Sequence, residues 1–180
     1  MENYSQKGWY RWQKLGTCSV RIGTHGCFIT SLANLADTSI TNPRGNVSVA
    51  NPSIVDWKAT TDGLYAKGCL VVSKAFAKML GLEYNGRSTK QPKYNCIGET
   101  NYYNRQGIPQ HFFVVFADGD ILDPLDLFPK KKTNKYARHM VSYRLFRNTK
   151  NDCSEQLEKV QKYQEKLEDA QKDYINCLNK

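Results

Sequence analysis

At 180 residues, 40% hydrophobic and 24% charged, the chain is long enough to bury a core in one domain with an appendage, and its composition excludes a disordered or fibrous protein. It has no run of about 18 apolar residues, and the first residues, MENYSQK, hold no apolar stretch of signal-peptide type. The expectation is therefore a soluble protein without a transmembrane segment, cytoplasmic as synthesised. The net charge of +9 is uneven, because residues 152–180 carry five Lys against seven Asp and Glu, a net of −2 that leaves +11 on the rest. A basic body points to an anionic partner such as cell-wall polymer, nucleic acid or a membrane surface.

Residues 1–26 hold Trp9, Tyr10 and Trp12, then Gly16, Gly23 and Gly26, and suggest an ordered loop or short strands. Phe28, Ile29, Leu32, Leu35 and Ala36 then recur at helical spacing, predicting a helix from Cys27 to Ala36. Residues 38–52, rich in Thr, Ser, Asn, Gly and Pro, suggest a loop, and a short helix after Asn51-Pro52-Ser53 would turn Ile54, Val55 and Trp57 inward. A further helix is predicted over 70–80, with Val72, Ala75, Phe76, Met79 and Leu80 on one face and Gly81 as its C-terminal cap. Strands within 85–109 are expected without clear limits. His111–Phe116 and Asp120–Asp123 predict a hairpin across Ala117-Asp118-Gly119, and a last strand covers 141–147. Helices first and strands later give an α+β fold, with the Cys27 helix packed on an antiparallel sheet.

The character changes at residue 152. Residues 152–180 lack Pro and Gly, and Leu157, Val160, Tyr163, Leu167, Ala170, Tyr174 and Leu178 recur every three or four positions. That pattern predicts a long amphipathic helix over 151–180, folded back on the 1–150 domain or self-associating as a coiled coil.

Six cysteines stand at 18, 27, 69, 96, 153 and 177, without a C-x-x-C pair. The spacing matches no dense secreted framework, so a reduced compartment is expected, with Cys18, Cys69 and Cys96 as small buried residues. A zinc site from Cys18, His25, Cys27 and a distant ligand lacks paired spacing, and no metal or cofactor is expected. Cys27 differs from the other thiols. Gly26 precedes it at a helix start, where unsatisfied backbone N–H groups favour thiolate. His111 heads an apolar strand, and carboxylates follow at Asp118, Asp120 and Asp123. A helix-tip Cys, a strand-start His and a carboxylate on the next strand form a nucleophile, base and orienter. His25 points the wrong way from a helix start, and His139 lies in the basic segment that includes Lys130-Lys131-Lys132, Lys135 and Arg138.

Tyr4-Ser5-Gln6 with Trp9 or Trp12, then Ile22-Gly23-Thr24-His25-Gly26-Cys27 and Thr30-Ser31-Leu32-Ala33, resembles the bacteriocin-leader-peptidase-like branch of the papain-like cysteine peptidases. Asn51-Pro52-Ser53 with Trp57, Asp62-Gly63-Leu64-Tyr65, Gly68-Cys69-Leu70, His111-Phe112-Phe113-Val114-Val115 and Asp123-Pro124 extend the likeness to about residue 125. The resemblance implies a papain-like fold and peptidase chemistry, with Cys27 as nucleophile, His111 as base and then acid, Asp123 as orienter and Gln6 as oxyanion donor. Gln13 is the other upstream glutamine, Asp118 or Asp120 the other orienters. Phe28 stands where many relatives have glycine.

The expected function is hydrolysis of amide or peptide bonds. Charge favours peptidoglycan and a phage-type lysin or cell-wall hydrolase. Processing of a protein partner, acyl transfer to an amine, or a non-catalytic binding and assembly module are the alternatives. Eleven Tyr and three Trp without a nucleic-acid-binding motif give no reason to expect a specific nucleic-acid partner.

Overall fold

A computed structural model describes residues 3–36, 38–41, 46–102, 110–126, 131–133 and 136–148, with 162–164, 166, 167 and 172. The chain divides into two compact units, Met1–Asn148 and Thr149–Lys180. Where the sequence suggests a loop or short strands ahead of Cys27, the structure has a 3-10 helix, Trp9–Trp12, and one helical turn, α1 (Ile22–His25). Tyr10 is buried and its hydroxyl donates to the Ser5 carbonyl at 2.6 Å. Gly23 lets the two short helices meet, since a Cβ there would stand 2.9 Å from the Arg11 carbonyl oxygen.

After Gly26, helix α2 (Cys27–Ala36) forms where the apolar spacing predicts it, and Ile29 to Ala36 are buried without a break. Residues 38–52 contain more than a loop. Ser39–Thr41 (β1) and Val47–Val49 (β2) pair antiparallel, because Ile40, Thr41, Val47 and Val49 supply β-branched side chains within the polar stretch. Helix α3 (Pro52–Thr61) is capped by the Asn51 side chain, which accepts from the Ile54 N–H. Val55 points inward as expected, but Ile54 and Trp57 are only half-buried, and Asp56 is buried in their place. Asp56 accepts from the Gly16 N–H at 2.8 Å, the Gln13 amide at 3.0 Å and the Tyr65 hydroxyl at 2.7 Å, so its carboxylate organises the loop before Cys27.

Tyr65–Ala66 (β3) and Leu70–Val71 (β4) make a second small hairpin, which delays helix α4 to Ser73–Leu80. Gly81 ends α4 at φ 67°, the left-handed cap expected of it. Phe76, Ala77 and Leu80 form its buried face, while Val72 precedes the helix and is exposed. Cys69 follows the turn of this hairpin at φ 56° and is disulfide-bonded to Cys18. The expectation of reduced, separate Cys18 and Cys69 is thereby corrected: 51 residues part them in sequence, and only the tertiary approach of the β3–β4 hairpin to the Leu15–Cys18 turn brings them together. The bond also removes Cys18 from any zinc set.

The remaining strands are β5 (Glu83–Ser88), β6 (Cys96–Thr100), β7 (His111–Val115), β8 (Asp120–Leu122), β9 (Lys131–Thr133) and β10 (Met140–Arg147). They form an antiparallel sheet in the order β5-β10-β6-β7-β8-β9. β10 inserts between β5 and β6. The chain is thus α+β with an antiparallel sheet. One sheet face carries Ile97, Phe112, Val114, Leu122 and Phe146 in a core shared with α2 and α4. The other carries Cys96, Phe113, Val115, Ile121 and Tyr136. Burial of a side chain such as Leu32 or Phe146, neither with any exposure, stabilises the fold by about 1.5–3 kcal/mol. No helix among the described residues is long and apolar enough to cross a membrane.

Most of the long helix expected over 151–180 lies outside the described residues. Positions 162–164, 166, 167 and 172 are helical, and Tyr163 and Leu167 are exposed.

Candidate active site

Three contacts position Cys27 against His111. The Ser31 hydroxyl of α2 donates to the Phe112 carbonyl at 3.2 Å, fixing the helix to the strand one residue past His111. Phe28, immediately after Cys27, stacks on Phe112 with ring centroids 4.6 Å apart and meets Phe146 at 5.9 Å. Phe28 therefore packs against the core. The third is the interaction of Cys27 with the imidazole itself, which helps to raise the His111 pKa.

His111 is buried, and its Nε2 lies 2.8 Å from Asp123 Oδ1. That bond leaves Nδ1 as the ring nitrogen for Cys27. Asp123 is equally buried and accepts from the Leu125 N–H at 2.9 Å and, through Oδ2, from the Tyr136 hydroxyl. Asp118 instead accepts from the Asp120 N–H at 3.1 Å, within the β7–β8 turn. Of the three carboxylates read from the sequence, Asp123 is the one hydrogen-bonded to His111.

The electrostatics follow from this geometry. Burial pulls the His111 pKa down, yet hydrogen bonds to Asp123 and Cys27 and the charges on both outweigh it, and the imidazole is pushed up to about 9. Burial opposes ionisation of Asp123 too, but the His111 hydrogen bond and charge, the Tyr136 hydroxyl and the Leu125 N–H hold its carboxyl far below the usual range. The pair is thus imidazolium and carboxylate near neutral pH, with the Cys27 sulfur as the ring's other partner. Cys27 is half-buried, whereas Cys96, the other free thiol among the described residues, is buried and pushed up to about 12 by desolvation. A buried, neutral thiol is inert, whereas Cys27 is half-buried and next to the His111 imidazole.

Gln6 is buried between the two halves of the site. Its N–H donates to the Pro124 carbonyl at 2.8 Å, beside Asp123, while its side-chain Nε2 donates to the Gly23 carbonyl at 3.1 Å, in the turn before Cys27. The Gly23 oxygen is the one a continuous helix would offer to the Cys27 N–H. With Gln6 on it, the Cys27 N–H carries no backbone hydrogen bond among the described residues. The Asn34 amide holds the same segment, accepting from the Tyr4 N–H at 2.6 Å and donating to the Tyr4 carbonyl at 2.9 Å. Gln13, the alternative, is committed to Asp56 and Ser53.

The other histidines stand apart. His25 is exposed and contacts Thr24 through Nδ1 at 2.9 Å, and His139 stacks on Tyr102 with ring centroids 5.1 Å apart. Among the described residues, no group of three or more His, Cys, Asp or Glu could hold a metal ion. Sequence reasoning missed Tyr136, since a single tyrosine among lysines, 13 residues from Asp123, carries no pattern that marks it as a donor. Comparison with family models, with curated proteins and with solved structures returns no match for this chain.

Proposed function

We propose that this protein is a cysteine-dependent amide or peptide hydrolase of papain-like type, in which Cys27 attacks the carbonyl carbon, His111 carries the proton and Asp123 orients the imidazole. The observation that supports this best is the buried hydrogen bonding of Tyr136 to Asp123 and of Asp123 to His111, whose imidazole interacts in turn with Cys27. The thiolate adds to the amide carbonyl, and imidazolium gives its Nδ1 proton to the leaving amine. The same nitrogen then takes a proton from water as it attacks the thioester, and collapse of the second tetrahedral intermediate expels the thiolate, releasing the acid and restoring the thiolate–imidazolium pair. Asp123 keeps the proton on Nε2 throughout, so that Nδ1 is the exchanging atom.

The Cys27 N–H and the second Nε2 proton of Gln6 are the donors for the oxyanion. A preorganised donor of this kind is worth roughly 2.7–4 kcal/mol on the tetrahedral intermediate. The substrate class we infer is peptide bonds in an anionic polymer, with bacterial peptidoglycan favoured by the +11 charge outside residues 152–180. The Cys18–Cys69 bond favours work outside a reducing cytosol.

The test is digestion of purified peptidoglycan and of a peptide library by the wild type and Cys27→Ser, with iodoacetamide labelling of Cys27 near neutral pH alongside. Release of new amino groups that Cys27→Ser abolishes supports the reading. Cleavage confined to one protein sequence would make the enzyme a processing peptidase, and products carrying an added amine would make it an acyl transferase. An unreactive Cys27 with no turnover on any amide would leave a binding module and overturn the proposal.

A further inference from the structure

One cluster of charges flanks the catalytic pair without belonging to it. In the sheet register Arg87 stands opposite Arg144, Ser142 opposite Glu99, and Glu99 opposite Phe112, so these side chains share the face that packs on α2. Glu99 is buried, and its Oε2 accepts from Arg87 Nη2 at 2.7 Å, Arg144 Nε at 3.2 Å and Ser142 Oγ at 2.6 Å. Its Oε1 accepts from the Gln110 amide. Burial raises the Glu99 pKa, but Ser142, Gln110 and the two arginines more than reverse this, and the carboxyl is ionised.

Two guanidinium groups thus face one carboxylate, and the cluster keeps a positive charge that Glu99 does not neutralise. Arg87 uses Nε and Nη2 on Ser142 and Glu99. Arg144 uses Nε alone, and its two Nη groups make no hydrogen bond to any described residue. A single arginine would balance Glu99; a second, only 18% exposed and oriented by its Nε bond to Glu99, leaves a donor pair suited to an anion.

The position of Arg144 relates it to the catalytic pair. Its guanidinium carbon lies 5.7 Å from the centre of the Phe112 ring, which in turn stacks on Phe28. Phe112 follows His111, Phe28 follows Cys27, and Gln110, on the other side of His111, reaches Glu99. The Arg144 guanidinium is thus two ring contacts from the residue that follows Cys27, and an extended peptide advances about 3.3–3.6 Å per residue.

We infer that Arg144, steadied by Glu99 and assisted by Arg87, forms a specificity subsite for a substrate carboxylate, so that the enzyme selects peptides with an acidic residue near the scissile amide. The inference rests on the hydrolase reading and names its substrate class. Its test uses matched peptides, drawn from a cleaved library member, that differ only by Glu or Gln, with the exchange moved through the positions on both sides of the scissile bond. At one position the Glu peptide should be favoured about tenfold in kcat/KM, a preference that added salt weakens. Arg144→Gln should bring that ratio close to one, and Arg87→Gln, at a more exposed side chain, should lower it less. Turnover with no Glu preference at any position, or a preference that both variants retain, overturns the subsite alone. Absence of turnover with every peptide in the wild type overturns the hydrolase reading and the subsite together.

Discussion

The raised pKa of His111 makes stability fall as the solution becomes alkaline. Folded His111 binds its proton up to about pH 9, whereas in the unfolded chain it releases it near 6.5. Between those values the native state holds more protons than the unfolded state, so raising the pH destabilises the fold; below 6.5 the contribution is complete, and above 9 it is gone. The displacement from 6.5 to about 9 corresponds to about 3 kcal/mol, which for a unit of this size moves Tm by about 6–12 °C.

Urea unfolding from about pH 6 to about pH 10, with the disulfide kept oxidised, measures this directly. His111→Gln removes the titrating ring and reports the background from lysines, tyrosines and other thiols. The wild-type curve should fall more steeply than the variant's by about 3 kcal/mol over the window. Cys27→Ser, which removes the sulfur partner but keeps Asp123, should show an intermediate slope. Parallel curves for wild type and His111→Gln would refute the ion-paired imidazole, and with it the proton inventory on which the proposed mechanism rests.

Tyr136→Phe deletes one donor to buried Asp123 and should cost about 1.5–3 kcal/mol at neutral pH by urea unfolding; an unchanged midpoint would show that the hydroxyl does not serve the carboxylate. Reduction of Cys18–Cys69, or the Cys18→Ser/Cys69→Ser double variant, reopens a 51-residue separation and should cost about 4 kcal/mol on the chain-entropy account, while indifference of the unfolding midpoint to reductant would argue that the bond is absent. Removal of residues 149–180 should leave iodoacetamide labelling of Cys27 unchanged and reduce particle mass in light scattering, the self-association half failing if the mass per chain is that of a monomer before and after truncation.

What the sequence displays and what it hides divide by range. Helix α2, the Gly81 cap and the β7–β8 hairpin rest on spacing, on a left-handed glycine and on a turn, all within a dozen residues, and they stand where the pattern places them. Cys27, His111 and Asp123 were visible because each occupies an element boundary that a short motif marks. Asp56 was hidden because a charged residue in an amphipathic pattern reads as solvent-facing, and its burial depends on the Gln13, Gly16 and Tyr65 groups that converge from other parts of the chain. The disulfide and Tyr136 were hidden for the same reason. β1 and β2 were masked differently, by a polar composition that outweighed four β-branched residues.

Gln6 shows how a residue far from the nucleophile in sequence is brought to it. Twenty-one positions before Cys27 it would be a weak candidate by spacing alone, since the intervening segment can follow many paths. The path is constrained at three points: Asn34 grips Tyr4, the Pro124 carbonyl accepts from Ser5 and Gln6, and the Gly23 carbonyl takes the Gln6 amide. Two of these anchors belong to the segments carrying Asp123 and Cys27, so the N-terminal strap ties one to the other. The helical break at Gly26 matters for the same reason. A continuous helix would commit the Cys27 N–H to Gly23, whereas here Gln6 occupies that oxygen, and in the proposed mechanism the Cys27 N–H is left for a developing oxyanion. One side chain thereby joins the two chain segments and, in the proposed hydrolase, supplies with the backbone it frees the paired donors that amide chemistry requires.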